Sequence, residues 1–249
     1  MSADAIWPKG VGRCVLDETD STNAEALRRA PCLDAPLWIC ALHQNKARGR
    51  RGRAWVNPEG NFAATLATPL DEPPERLALR SFVASLALYD VLSDLTPQGT
   101  PLSLKWPNDV LLGGGKVAGI LLETTGAPPV LAIGIGVNLA HAPSSEEVEN
   151  AAFPPVALAS WTGEVVAPLT FLDHLARSYA RREAVFSRLG FGPIREAWLA
   201  HAARLGQEIM VRMGDREMTG TFDTVDDSGQ LVLSTPDTRV AIPAADVYF

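Results

Sequence analysis

The segment that most limits how this chain can fold is residues 44–53, where five cationic side chains fall within eight consecutive positions: Lys46, Arg48, Arg50, Arg51 and Arg53. Charged side chains at this density do not fit inside a core, so the segment must be an exposed loop. Residues 36–43, immediately before it, form an apolar run of strand length. The sequence therefore predicts a buried strand that leads directly into a cationic loop.

The composition of this loop indicates what it binds. Gly49 and Gly52 lie between the arginines, and glycine lets backbone approach a ligand closely. Arginine offers a planar set of donors that suits carboxylate and phosphate. The chain of 249 residues has a net charge of −7, so the residues outside the loop sum to −12 and solubility does not explain the cluster. We expect a loop that is mobile in the free protein and closes over an anion.

Composition restricts the class of protein. The chain is 47% apolar and 20% charged, which is typical of a globular protein with one full domain and a small second one. It has no apolar run of membrane length and no secretory signal, so we expect a cytoplasmic protein without a membrane partner. A pI of about 5.1 argues against DNA binding. The cysteines and histidines lack metal-type spacing, which predicts no metal site built from them.

Hydrophobic patterns predict two domains. Runs of strand length fall at residues 11–16, 36–43, 61–68, 102–106, 116–123 and 130–138. Helical patterns fall at residues 24–29, 168–189 and 194–203, and a helix of about five turns is expected from Pro73. After Gly206 the pattern changes to short strands separated by turn residues. We expect an α+β fold in which residues 1–204 form a mixed β-sheet flanked by helices and residues 205–249 form a small β-barrel.

Two later stretches carry polar residues that a plain strand end does not need. Residues 105–109 read Lys-Trp-Pro-Asn-Asp, and Lys116 follows three glycines at the start of an apolar strand. Asp109 is a candidate ligand for a divalent cation. The ammonium of Lys116 is a candidate to project into a binding site, although a hairpin with an exposed lysine fits the same residues. A phosphate loop is excluded because Val110 and Val117 stand where glycine and Ser or Thr are required. Residues 113–118 open a strand, which excludes a dinucleotide-binding turn.

The order of four motifs is more specific than any one of them. They are Asp20-Ser-Thr-Asn23 at a predicted helix start, Gln44 with the arginine loop, Lys-Trp-Pro-Asn-Asp, and Lys-Val-Ala-Gly-Ile-Leu from Lys116. Together they resemble the biotin protein ligases, from about residue 11 to residue 138. The resemblance implies a class II synthetase-like catalytic domain and an SH3-like C-terminal barrel. It also implies the monofunctional type, because residues 1–16 leave no room for the N-terminal DNA-binding domain of bifunctional members.

The resemblance implies a reaction in two steps. Biotin and ATP, with Mg²⁺, give biotinyl-5′-AMP and pyrophosphate, and a lysine of a biotin carboxyl carrier domain then displaces AMP. A lipoate or octanoate ligase of related fold and a non-catalytic biotin or nucleotide sensor are the alternatives. The family includes monomers and homodimers, and the sequence does not choose between them.

Site residues follow from the motif positions. Those implied for biotin are Ser21, Thr22, Asn23, Gln44, Arg48, Gly49, Arg50, Lys116 and Gly119, with Trp106 either walling the pocket or packing structurally. Those implied for the nucleotide are Arg50, Arg53, Trp55, Asn108, Lys116 and Asn138. The catalytic set is Lys116, Arg50, Arg53 and Asp109, the last as a candidate Mg²⁺ ligand. Arg51 is expected to face solvent or the carrier. The family loop begins Gly-Arg-Gly-Arg, and here Ala47 replaces the first glycine.

Overall fold

A seven-stranded sheet forms the centre of the larger domain. The computed structural model describes residues 7–125, 129–144, 147, 153–243 and 245–249. The strands are β1 Gly12–Thr19, β2 Leu37–Gln44, β3 Phe62–Pro69, β4 Leu102–Lys105, β5 Asp109–Leu112, β6 Gly115–Thr125 and β7 Val130–Val137. Their order is β1-β2-β3-β7-β6-β5-β4, with β1 and β2 parallel and the other pairs antiparallel. The predicted mixed sheet is confirmed.

Helices cover both faces of this sheet. They are α1 Thr22–Arg29, α2 Pro74–Ala78, α3 Arg80–Leu95, α4 Ala159–Thr162, α5 Pro168–Leu189 and α6 Phe191–Leu199. Because successive strand residues point to opposite faces, Trp38 and Cys40 of β2 join the core under α3 and α5. Ile39, between them, packs in a smaller core with Ala26 of α1.

The helix predicted at residues 194–203 lies at Phe191–Leu199. Two other predicted boundaries were also wrong. The single helix expected from Pro73 is divided at Leu79, whose carbonyl accepts the N–H of Phe82 three residues on, so the α-helical ladder is interrupted there. Strand β1 continues to Thr19 and not only to residue 16, because Glu18 and Thr19 still pair with His43 and Gln44 of β2. In neither case does the hydrophobic pattern of the segment record the backbone pairing that decides the boundary.

The C-terminal unit is a five-stranded antiparallel sheet that shares the main core. Its strands are β8 Glu208–Met213, β9 Arg216–Val225, β10 Leu231–Ser234, β11 Arg239–Ile242 and β12 Asp246–Tyr248, in the order β11-β10-β9-β8-β12. Ile209 and Phe222 belong to the same cluster as the helices of the larger domain. The indole N–H of Trp106 donates to the carbonyl of Gly229 at 3.0 Å, which ties the two units together. Within the described ranges, no helix combines the length and apolarity that crossing a bilayer requires.

Candidate active site

A cavity of about 580 Å³ lies between the arginine loop, the β6–β7 face of the sheet and β12. It brings together these predicted site residues: Ser21, Thr22, Asn23, Gln44, Arg48, Gly49, Arg50, Arg53, Trp55, Asn108, Asp109, Lys116, Gly119 and Asn138. Trp106 is the predicted residue that does not line it. Its side chain is 3% exposed and packs in the core, which matches the structural alternative for this residue.

One end of the cavity is built from the start of α1 and the end of β2. Ser21 is the N-cap residue of α1, although its hydroxyl makes no capping bond. Gln44 Oε1 accepts the backbone N–H of Thr22 at 2.7 Å. Thr22 and Asn23 are buried, so their polar groups need partners inside the protein. This end is therefore a polar subsite with a fixed hydrogen-bond arrangement.

Two residues that the sequence did not single out support this polar end. Glu123 of β6 accepts a hydrogen bond from Asn23 Nδ2 at 2.7 Å and binds Arg48 of the loop at 3.0 Å. Thr65 of β3 is fully buried, with its hydroxyl 2.6 Å from Asn23 Oδ1 and 2.8 Å from the hydroxyl of Thr22. No local motif marks either residue, because their partners lie 42 to 100 positions away in the chain.

The other end of the cavity holds a cluster of charges. Lys116 Nζ lies 2.7 Å from Asp109 Oδ1, and Lys105 Nζ lies 3.7 Å from Asp109 Oδ2. Burial would raise the pKa of Asp109, but Lys116 and Lys105, together with Arg50, outweigh burial and hold this pKa below its usual value. Burial also lowers the pKa of Lys105, against the opposing effect of Asp109. Arg50 lies nearby, with Nη1 at 3.4 Å from Asn108 Oδ1, and burial lowers its pKa.

The backbone on either side of Lys116 is held by a neighbouring segment. The Lys116 N–H donates to the carbonyl of Pro154 at 2.8 Å, and the N–H of Val156 donates to the Lys116 carbonyl at 3.0 Å. Beside this segment, Lys105 Nζ lies 5.0 Å from the ring centroid of Phe153. The lysine that the sequence identified as the first catalytic candidate is thus fixed on a paired strand and is not a free hairpin residue.

Glycines on β6 and β7 form the floor between the two ends. Gly119 pairs with Gly136 across the strands, and a Cβ atom added at Gly136 would lie 2.5 Å from Trp55 Cε2. One added at Gly134, on the same face of β7, would lie 2.2 Å from Asn23 Oδ1. Glycines inside a strand indicate that another group lies close against its backbone, and the structure identifies these groups as the side chains of Asn23 and Trp55.

The arginine loop is anchored by the C-terminal unit. Arg51 and Arg53 both bind the carboxylate of Asp246 in β12, Arg53 at 2.9 Å. Arg51 was expected to face solvent or a carrier. Its side chain is 43% exposed but also forms this ion pair. Arg53, while paired with Asp246, also lines the cavity. Asp246 lies 193 residues after Arg53, so no sequence pattern links the two.

The geometry does not fit a magnesium site built by the protein. Across residues 7–125, 129–144, 147, 153–243 and 245–249, no group of three or more His, Cys, Asp or Glu residues could hold a metal ion. The carboxylate of Asp109, the predicted Mg²⁺ ligand, is already contacted by two lysine ammonium groups. These residues instead suit an anion, because several cations surround a single carboxylate.

Comparison with known proteins agrees with this geometry. The Biotin/lipoate A/B protein ligase family model matches residues 11–139, and the biotin protein ligase C terminal domain model matches residues 205–249. The chain belongs to the biotin/lipoate A/B protein ligase family.

The chain is also similar to individual biotin ligases over most of its length. The chain is 52% identical over 238 residues to the biotin–[acetyl-CoA-carboxylase] ligase of Paracoccus denitrificans, covering 94% of this chain and 99% of the relative. It is 30% identical to the bifunctional ligase/repressor BirA of Escherichia coli K12, covering 88% of this chain and 68% of the relative. The Aquifex aeolicus biotin protein ligase in complex with biotin and ATP has a TM-score of 0.82 at 24% identity, covering 95% of this chain and 97% of the other. This last match confirms the predicted fold class.

Proposed function

We propose that this chain is an ATP-dependent biotin protein ligase that attaches biotin to a lysine of a biotin carboxyl carrier domain. The observation that carries the proposal is the cavity itself, which has a polar subsite at one end and a cluster of buried and half-buried cations at the other. The arginine loop reaches both ends. The 52% identity to the Paracoccus ligase over nearly its whole length supports this activity and an acetyl-CoA carboxylase as the source of the carrier domain.

Biotin is proposed to bind with its ring system at the polar end. Ser21, Thr22, Asn23 and Gln44 surround the ring there, and the loop covers it through Arg48 and Gly49. The valeryl tail passes over Gly119, where the absence of a side chain leaves room. The carboxylate then reaches the cluster formed by Lys116 and Arg50.

ATP is proposed to occupy the other end. The indole of Trp55 rests on the glycine floor and offers a face for the adenine ring. Among the described residues, Asn138 Oδ1 is buried without a hydrogen-bond partner, and the exocyclic amine of adenine would satisfy it. Asn108, Arg53 and Arg50 then lie on the side of the ribose and phosphates.

The first step joins two anions, so its barrier contains their repulsion. A carboxylate oxygen of biotin attacks the α-phosphorus, the bond from that phosphorus to the bridging oxygen breaks, and pyrophosphate leaves. Lys116 and Arg50 offset the charge of the reacting groups and hold them in line. The backbone of Lys116 is paired and its ammonium contacts Asp109 at 2.7 Å, so the ammonium is placed before the substrates bind. Mg²⁺ has no assigned protein ligand in this proposal.

The second step transfers the biotinyl group. The ε-amine of the carrier lysine attacks the acyl carbon, the bond to the phosphate oxygen breaks, and AMP leaves. Water would hydrolyse the intermediate anhydride, so the loop at residues 44–53 is proposed to order over it. Limited proteolysis tests this: biotin plus ATP should protect the loop from trypsin, and equal cleavage with and without them would count against closure.

Substitution of the catalytic lysine tests the proposed function. Lys116→Ala should lower biotin-dependent ATP–pyrophosphate exchange by a factor on the order of 100 to 1,000, because one fixed cation at the reacting groups is lost. Lys9→Ala is the matched control, since Lys9 is exposed and lies outside the cavity. Exchange in Lys116→Ala near the wild-type rate would remove Lys116 from the mechanism.

Two alternatives give different results in the same assay. A lipoate or octanoate ligase would support exchange with those acids and not with biotin. A non-catalytic sensor would bind biotin and support no exchange. The two ends of the cavity favour the biotin ligase, because they match a polar ring and an activated carboxylate.

Cellular location and oligomeric state complete the proposal. We infer a cytoplasmic enzyme, because the reaction consumes ATP. In the described part of the chain, β1 is the open edge of the main sheet, whereas β4 at the other edge is paired through Leu104 with His201 and Ala203. A homodimer that forms through β1 stays a prediction, which sedimentation velocity would test.

A further inference from the structure

The polar end of the cavity is connected to a chain of hydrogen bonds behind it. Asn23 Nδ2 donates to Glu123 Oε2 at 2.7 Å and to the carbonyl of Leu121 at 3.3 Å. An amide nitrogen carries two hydrogens, so both are used. The side-chain amide of Asn23 therefore has no donor left for a ligand. Its oxygen points away from Glu123 and toward Thr65.

Thr65 passes this orientation on to Thr22. Two oxygens 2.6 Å apart require a proton between them, and the amide oxygen of Asn23 carries none, so the Thr65 hydroxyl donates to it. Thr65 has a single proton, and its oxygen lies 2.8 Å from that of Thr22. Thr22 must therefore donate to Thr65. The hydroxyl of Thr22 consequently offers only lone pairs to the cavity that it lines.

Gln44 is oriented in the opposite sense. Its Oε1 accepts the backbone N–H of Thr22 at 2.7 Å, so its amide nitrogen remains available as a donor. Gln44 and Thr22 both line the cavity. The polar end thus presents an acceptor and a donor whose identities are fixed by groups behind them. A cyclic urea, with N–H donors beside a carbonyl acceptor, has the complementary pattern.

We propose that Glu123 and Thr65 are specificity-determining positioning residues that fix the hydroxyl of Thr22 as an acceptor for a ligand N–H. This inference rests on the proposed function, in which the ligand is biotin. Glu123 lies outside the cavity lining and acts through Asn23 and Thr65. As a carboxylate, it accepts at every position, and together with the carbonyl of Leu121 it defines the direction of the whole chain. Its other oxygen binds Arg48, which places the loop against the same group.

Thr65 offers a matched pair of substitutions. Thr65→Val keeps the shape but removes the hydroxyl, so the proton of Thr22 is released and can point into the cavity. Thr65→Ser keeps the hydroxyl. We expect Thr65→Val to weaken biotin binding roughly tenfold by calorimetry, as for a misdirected buried hydrogen bond. Thr65→Ser should remain within about twofold of wild type, because the hydrogen-bond chain is intact.

A biotin analogue methylated on a ureido nitrogen distinguishes a changed hydrogen-bond role of Thr22 from a general loss of structure in the variant. Methylation removes one ligand donor, so it should weaken binding to the wild type much more than to Thr65→Val. The quantity compared is the Kd for the analogue divided by the Kd for biotin. General loss of structure would weaken the binding of both ligands alike and leave this ratio at its wild-type value. An unchanged ratio in Thr65→Val, or equal effects of Val and Ser, would overturn the inference.

Glu123→Met provides a second route should Thr65→Val fold poorly, because the Glu123 side chain is 25% exposed and tolerates change. This variant should shift the ratio in the same direction, and a wild-type ratio would overturn the inference. Wild-type protein that binds biotin but supports no pyrophosphate exchange would instead contradict the proposed function. The two failures are therefore separable.

Discussion

Alanine substitutions at Gly136 and Gly134 test whether β7 holds the two substrates in separate subsites. A Cβ at Gly136 would lie 2.5 Å from Trp55 Cε2, and one at Gly134 would lie 2.2 Å from Asn23 Oδ1. Ordinary contact begins near 3.4 Å. The indole of Trp55, or the amide of Asn23, must therefore retreat by roughly 1 Å in the respective variant.

The expected size of each effect follows from what has to move. Trp55 is half-buried on a loop, and forced repacking of a side chain costs about 1–3 kcal/mol. Asn23 is buried and makes hydrogen bonds with Glu123 and Thr65, so its displacement breaks at least one bond at a cost of about 1–3 kcal/mol. Because about 1.36 kcal/mol is a factor of ten, either range corresponds to a change of about 5- to 160-fold in affinity for the substrate concerned.

Steady-state pyrophosphate exchange separates the two substrates. Gly136→Ala should raise KM for ATP about tenfold and change KM for biotin less than about threefold, and Gly134→Ala should do the reverse. Gly192→Ala is the control, because a Cβ there meets no atom within 4 Å. If each variant raised both KM values equally while remaining folded in thermal unfolding, β7 would not separate the subsites.

Two further predictions concern ion pairs. Asp246→Asn removes the anchor of the two loop arginines, so KM for ATP should rise about two- to threefold at low salt. The difference from wild type should fade in high salt, because salt screens exposed ion pairs. An effect that grows with salt would contradict this explanation. Hydrogen bonds from Arg80 hold the pKa of Glu72 below its usual value, against the effect of burial. The stability that this pair contributes is therefore present above the unfolded pKa and is lost as pH falls through the folded one. The free energy of unfolding, measured in urea, should decline less steeply for Glu72→Gln than for the wild type as pH falls below about 4.5. An identical decline would refute the linkage.

The sequence was sufficient where chemistry is local. The five cations of residues 46–53 could only lie on a loop, and the stretches around Asp109 and Lys116 carried polar residues that strand ends do not need. The structure brings these segments to one cavity. Gly134 and Gly136 also marked a strand that other groups approach closely. In each case the signal lay in a few neighbouring residues.

The remaining site residues depend on tertiary contacts. Glu123 looks like the end of an apolar strand, and Thr65 looks like an ordinary strand residue, until folding places Asn23 between them. Trp106 stands inside a motif, yet its indole is directed to Gly229 of the C-terminal unit and not to the cavity. Side-chain direction at a strand end depends on which unit packs there, and a linear pattern does not contain that information.

The distance in sequence between the arginine loop and its anchor has a consequence during synthesis. Asp246 follows Arg53 by 193 residues, which a ribosome adding about 5–20 residues per second covers in roughly 10–40 s. Throughout that interval the nascent chain already contains the guanidinium groups but lacks the carboxylate that anchors them. Assembly of the cavity wall is therefore a late event, which follows the emergence of β12 and not the folding of the main sheet.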